Sequence, residues 1–185
     1  MIRQLTHLVA LVAIAFATTA FAGNNAAPLG VEIGAATLDQ VQQSIGKRTR
    51  LINSGINAYS EGPMLKGDGE GLDIDGLSSI TFIFDKTNRL AGVLMTLPKG
   101  GMGSENVKRM VGMLGEKYKT VKRNIPFVGD AFARFKQGTS TIDVDAPHMS
   151  FTMEVRYLSD DLLAAFNSRS RQENAEKQRK QQSQF

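Results

Sequence analysis

The sequence predicts an α+β protein built as two tandem halves, each placing a helix against antiparallel strands. Three observations carry that expectation. Between Gly76 and Pro98, Ile80, Phe82 and Phe84 stand at spacing two, and so do Val93, Met95 and Leu97 after a polar loop. Such alternation builds strands with one face toward a core and one toward water. Near the C-terminus, Phe151, Met153, Val155 and Tyr157 alternate with Thr152, Glu154 and Arg156, the clearest strand pattern in the chain. Finally, Leu38, Val41, Ile45 and Gly46 have spacings that match Val107, Met110, Leu114 and Gly115, and several strand signals follow each set. The halves fall at about 29–98 and 104–168, sharing one continuous antiparallel sheet or a closely packed pair.

Taken in order, residues 1–22 read as a secretory signal. Arg3 supplies the positive start, Leu8 to Phe21 the apolar run, and Ala20-Phe21-Ala22 the small-x-small cleavage pattern. Cleavage near Ala22 leaves Gly23 as the first mature residue, and the α+β domain spans 23–168. Leu29 to Gly34 suggests a short first strand. Thr37 is placed to cap a helix with Asp39 in its first turn, Leu38, Val41 and Ile45 on one face, and Gly46 at its end. Thr49 to Asn53 and Ile56 to Tyr59 suggest two short strands around Asn53-Ser54-Gly55. Glu61 to Gly76, dense in glycine and acid, suggests loop with an extended piece near Met64-Leu65-Lys66.

After the central hairpin, Pro98 and Gly100, Gly101 and Gly103 break the chain. Ser104 then caps a second helix with Val107, Met110, Val111 and Leu114 on its apolar face. Strands follow at Thr120–Ile125, Ala131–Lys136, Ser140–Asp145 and Ser150–Leu158. Ser159 begins a last helix with Asp160 and Asp161 in its first turn and Leu162, Leu163 and Phe166 as anchors. Beyond Ser168 no apolar anchor appears until Phe185, so residues 169–185 have the composition of a flexible polar tail or a solvated helix extension.

Composition bounds the function. The chain of 185 residues has no cysteine and a formal charge of +4. Without cysteine a lipid anchor at the cleavage point and any disulfide are excluded, so the expectation is a soluble periplasmic protein held by core packing. No second apolar stretch approaches membrane length, so no stable membrane insertion is expected. Export makes nucleic acid an improbable partner despite the basic balance.

Part of the first half follows a periplasmic pattern. Gly34, Thr37, Val41, Ile45, Gly46, Lys47 and Thr49 fit G-x-x-T-x-x-x-V-x-x-x-(I/L)-G-K-x-T, and Tyr59 and Ile80 to Leu90 fit the strand and Phe-Asp turn that close it. This resembles the small lipoprotein of the outer-membrane β-barrel assembly machinery and its structural relatives, the β-lactamase inhibitor proteins. Arg48 stands where the lipoprotein pattern usually has proline. The resemblance covers roughly Gly34 to Val93 by motif and the second half by layout. It implies a β-lactamase-inhibitor-like fold of two tandem halves and a role in binding a protein partner of the cell envelope.

Candidate chemistry is sparse. His148, with Asp143 and Asp145 nearby in sequence, could form a metal site, although strand alternation already explains both aspartates. The same histidine would have to serve a Ser-His-Asp triad, yet there is no G-x-S-x-G turn. Asp68, Glu70, Asp73 and Asp75 offer oxygen ligands to calcium, but their spacing does not match an EF-hand. Lys99 to Ser104 precedes a helix N-terminus without the G-K-[ST] ending of a phosphate loop. Glu154 has no partner fixed by spacing for glycoside hydrolysis. No catalytic, cofactor-binding or metal residue is assigned. The expectation is a non-enzymatic protein that binds a protein partner through its sheet face or loops. The alternative is an envelope-directed hydrolase or small-ligand-binding protein with a deep polar cleft.

Overall fold

The computed structural model describes residues 24–100 and 105–184. The signal reading of residues 1–22 with cleavage near Ala22, and the capping role of Ser104, lie outside the described residues. A 3-10 turn, Pro28–Gly30, precedes α1 (Leu38–Ser44) and then β1 (Ile52–Ile56), β2 (Glu61–Gly67), β3 (Ser79–Asp85) and β4 (Leu90–Pro98). Next come α2 (Glu105–Lys117), β5 (Lys119–Asn124), β6 (Ala131–Gln137), β7 (Ser140–Ala146), β8 (Thr152–Ser159) and α3 (Asp160–Gln182).

All eight strands lie in one sheet, in the order β1-β2-β3-β4-β8-β7-β6-β5. Every neighbouring pair is antiparallel. In the middle, β4 and β8 pair without interruption from Gly92↔Leu158 to Pro98↔Thr152. The two tandem halves expected at 29–98 and 104–168 are therefore corrected to a single eight-stranded sheet, while the α+β mix stands. The place where a boundary between halves would run is a continuous ladder of backbone bonds.

One hydrophobic cluster runs along one sheet face from β2 to β6, leaving out the edge strands β1 and β5. It joins Val41 and Ile45 of α1 to Phe82, Phe84 and Val93, and Val107, Val111 and Leu114 of α2 to Phe135, Ile142 and Val155. The matched helix spacings did not mark equivalent positions. Gly115 lies inside α2, whereas Gly46 lies beyond the end of α1. Both helices share the spacing because each needs an apolar stripe, and that requirement alone produces it.

The central hairpin forms as its alternation predicts, with Ile80 opposite Met95 and Phe82 opposite Val93. Thr37 caps α1 in a reciprocal capping box, accepting from the Gln40 N–H while Gln40 accepts from the Thr37 N–H. Four local expectations differ. Residues 29–34 form a turn in which Leu29 has φ of 54°, and Val31 and Ile33 are buried without strand pairing. Gly46 is not at positive φ; α1 ends instead on Ile45 in helical conformation. Asn53-Ser54-Gly55 is a bulge inside one strand, β1, because Gly55 at φ of 86° lets the edge strand deform without turning. Glu61 to Gly67 pairs as a full strand, with Gly62 needed where a Cβ would sit 2.2 Å from the Phe84 carbonyl oxygen.

On the other sheet face, α3 covers only one end. Ser159 caps it by accepting from the Leu162 N–H, and Leu162 joins Ile83 and Ala91 in a small second cluster. Gly92 makes room there, since a Cβ would meet Leu162 at 3.0 Å. Of the two forms expected for the tail, the structure has the solvated helix: α3 continues to Gln182 with its side chains in water. Among the described residues no helix is long and apolar enough to cross a membrane.

Candidate functional site

Two surfaces stand out. The first lies at the tips of two neighbouring loops, 125–130 between β5 and β6 and 147–151 between β7 and β8. Large apolar side chains point into water there: Phe127 is 98% exposed, Met149 90%, Phe151 83% and Val128 66%. The tips are fastened to one another. The His148 N–H donates to Asp130 Oδ1 at 2.7 Å, and the Gly129 N–H donates to His148 Nδ1 at 3.3 Å. Lys99 fixes the second loop from below. Its ammonium, in a buried side chain, donates to the carbonyls of Pro147 at 2.8 Å and His148 at 2.9 Å. A second tie runs from the Lys99 N–H to the Phe151 carbonyl, also 2.8 Å. Burying a lysine demands such acceptors, so its purpose is to hold the turn.

The second surface is the sheet face opposite the main core, where the sequence places Thr152, Glu154 and Arg156. Cross-strand pairing sets Arg134 beside Asp143 and Asp143 beside Arg156. Arg134 grips Asp143 with two bonds, Nε to Oδ1 at 2.7 Å and Nη2 to Oδ2 at 2.8 Å. The hydrogen bond to Asp143 raises the Arg134 pKa, outweighing desolvation. Arg156 donates from Nη2 to Asp145 at 3.1 Å, while its Nη1 stays 3.9 Å from Glu154. Its Nε is enclosed with no acceptor among the described residues. An unpaired enclosed donor costs about 1–3 kcal/mol. Between this charged row and α3 lies a groove of about 290 Å³ whose walls include Ile83, Leu94, Leu158, Leu163 and Phe166. At its far end Tyr59 meets Phe166 edge-on at 5.2 Å, and Arg169 lies over the Tyr59 ring and donates to the Ala58 carbonyl. These contacts tie α3 to the turn between β1 and β2.

The candidates from the sequence are mostly placed in structural roles. Asp143 and Asp145 belong to the arginine row, whereas His148 belongs to the loop tips, so the three do not form one site. Asp68 accepts from Thr49 Oγ1 and from the Glu70 N–H, shaping its own loop. Asp73 pairs with Arg48, which also donates to the Leu72 carbonyl. Among the described residues no three His, Asp or Glu side chains converge as metal ligands would. Lys99 is spent on two carbonyls, and Gly101 to Ser104 lie outside the described residues. Glu154 stands at the exposed end of the arginine row, 3.9 Å from Arg156.

What the sequence did not reveal is the pairing of the two loops. Phe151 was expected to share the buried face of Met153, Val155 and Tyr157, but β8 begins only at Thr152 and Phe151 turns outward. Phe127 and Met149 carried no periodic signal, since each stands alone in a turn. A turn that spends an exposed Phe or Met where a polar residue would serve is the only hint the chain offers.

Comparisons with protein-family models, with curated proteins and with solved structures find no match for this chain. The family resemblance thus rests on the quoted motif between Gly34 and Val93.

Proposed function

We propose that this is an exported, non-enzymatic periplasmic protein that binds a protein partner through its two apolar loop tips. The observation that carries the reading is the set of Phe127, Val128, Met149 and Phe151, held out in water on loops that hydrogen bonds lock together. Exposing such side chains is unfavourable unless something covers them, and aromatic and methionine anchors are what buried interface centres use. Fastened loops also lose little conformational freedom on docking, which favours affinity. Asp130, placed between the tips, suits a protein surface better than an anionic lipid surface.

Export rests on Arg3, the apolar run Leu8 to Phe21 and the Ala20-Phe21-Ala22 pattern. A chain recovered from the periplasmic fraction should begin at Gly23; an uncleaved chain in the cytoplasm would overturn this part. The hydrolase alternative has less support, because Asp143 and Asp145 each accept from an arginine, Asp130 accepts from the His148 N–H and His148 Nδ1 accepts from the Gly129 N–H.

The test is a triple substitution, Phe127→Ser, Met149→Ser and Phe151→Ser. The variant should keep the wild-type melting temperature, because these side chains bury almost nothing in the fold. Its affinity for a partner recovered with the wild-type protein should fall at least ~10-fold, about 1.4 kcal/mol. Equal recovery of that partner by both proteins would overturn the reading, as would loss of binding only to anionic vesicles.

A further inference from the structure

We infer that the groove between α3 and the outer sheet face is a binding site for a small, uncharged apolar molecule carrying an acyl carbonyl. Its chain lies under α3 and its carbonyl oxygen accepts from Arg156. The site is separate from the loop tips: β8 runs from the tips at Thr152 to the start of α3 after Ser159.

Three features select the ligand. The first is the wall chemistry. Ile83, Leu94, Leu158, Leu163 and Phe166 form the apolar walls of a groove of about 290 Å³ that Arg134, Asp143, Glu154 and Arg156 close on the other side, room for ~10 non-hydrogen atoms at roughly 30 Å³ each. The second is the donor inventory. A guanidinium has five N–H groups. In Arg156, among the described residues, a single one, on Nη2, has an acceptor within bonding distance; Nε is enclosed and Nη1 is 3.9 Å from Glu154, so the donors open to a ligand are those of the two terminal nitrogens. Arg134 is different, because both its Nε and Nη2 are committed to Asp143. Of the two guanidinium groups lining the groove, Arg156 is therefore the one with donors to spare.

The third feature is the charge balance, and it decides between a carboxylate and a neutral carbonyl. Arg134 and Arg156 face Asp143, Asp145 and Glu154, so the row already holds one more carboxylate than guanidinium. Lys122 stands opposite Arg134 and over the Phe132 ring, so its charge serves the Arg134 end of the row, and Lys136 pairs with Asp160; the Arg156 end keeps two carboxylates, Asp145 and Glu154, around one guanidinium. Another carboxylate would meet Glu154 and Asp145 at close range in a partly enclosed site, where like charges repel strongly. A carbonyl oxygen takes the same donor without that repulsion. An acyl amide or ester satisfies every feature.

The test uses two probes of equal size, octanamide and octanoate, titrated into the full mature protein labelled with nitrogen-15. Octanamide should shift the Arg156 Nε–H resonance and the backbone signals of Leu162, Leu163 and Phe166 saturably at millimolar concentration. Octanoate should bind at least ~5-fold more weakly, the cost of its charge. Arg156→Met keeps the stem and removes the donors. It leaves Asp145 and Glu154 with access to water, so the fold should hold, and octanamide affinity should fall at least ~10-fold. Leu163→Gln, on a half-buried helix position, should weaken both probes alike. The inference is overturned if octanoate binds as well as octanamide, if Arg156→Met binds octanamide like the wild type, or if neither probe moves the groove signals.

Discussion

At the scale of single residues, the Arg134–Asp143 pair shows how position sets the cost of losing a charge. The Asp143 side chain is 4% exposed and the Arg134 side chain 37%. Arg134→Leu strands a carboxylate away from water and should cost about 3–5 kcal/mol. Asp143→Leu leaves an arginine that can turn outward, and should cost roughly 1–3 kcal/mol. Urea unfolding of the two variants checks the order; equal losses would mean that the pair shares one environment. Asp85 gives the pH dependence. Burial raises its pKa, but the Arg89 N–H, the Thr87 hydroxyl and N–H, and the Arg89 charge together bring it below the ordinary 3.8. A carboxyl depressed in the folded state stabilises above its unfolded value, and that contribution disappears as pH falls through the folded one. Asp85→Asn should therefore be less stable than wild type at pH 7, and the gap should close in acid below about pH 3.8. A gap independent of pH would contradict the assignment. Tyr118 and Tyr157 meet edge-on in the core, where burial and the neighbouring Tyr118 raise the Tyr157 pKa. Because Tyr118 Oη is buried with no partner among the described residues, Tyr118→Phe should be neutral or stabilising by up to ~1 kcal/mol in the same assay. None of these pairings is written in the chain, since Arg134 and Asp143 meet only through the register of β6 and β7.

At the scale of elements, short-range chemistry was readable and edges were not. Thr37 and Gln40 sit three apart, so the capping box of α1 is a local fact. Thr37→Ala should cost about 1 kcal/mol, measured by thermal unfolding, and more than Gln43→Ala on the exposed face. The β3–β4 and β7–β8 hairpins follow from alternation because one face of each must be buried. β1 gave no such signal: its residues, Ile52 and Ile56 among them, are exposed at the sheet edge. Nothing in that strand selects a buried face, so its boundaries had to come from pairing with β2. The same holds for residues 29–34, whose apolar side chains are buried by a turn at positive φ instead of by strand alternation. Gly62 marks the reverse case, a glycine whose neighbour lies across the sheet. Gly62→Ala should disturb the start of β2, seen as lost hydrogen-exchange protection at Glu61 and Met64.

At the scale of the whole molecule, the sheet is one object. The uninterrupted β4–β8 ladder and the shared core predict a single cooperative unfolding transition, with secondary structure and tyrosine environment lost together. Two separated transitions would favour independent halves instead. Matching apolar spacings cannot distinguish these cases, because any helix on a sheet produces them. The outer face was legible as the wet side of β8, yet the groove beneath α3 was not, for it needs Tyr59, Ile83 and Phe166 from three distant segments. The loop tips were equally hidden, since the loops carrying Phe127 and Met149 meet, through Gly129, Asp130 and His148, only when β5–β6 and β7–β8 turn at the same end of the sheet. Those tips are the core of the functional reading, so the most direct measurement is photo-crosslinking in the periplasm. A photoreactive phenylalanine analogue at Phe127 or Phe151 should give the same discrete protein adduct, absent when the analogue replaces exposed Lys117 on α2. No adduct at either tip, or an identical adduct at Lys117, would contradict a partner-binding role for the loops.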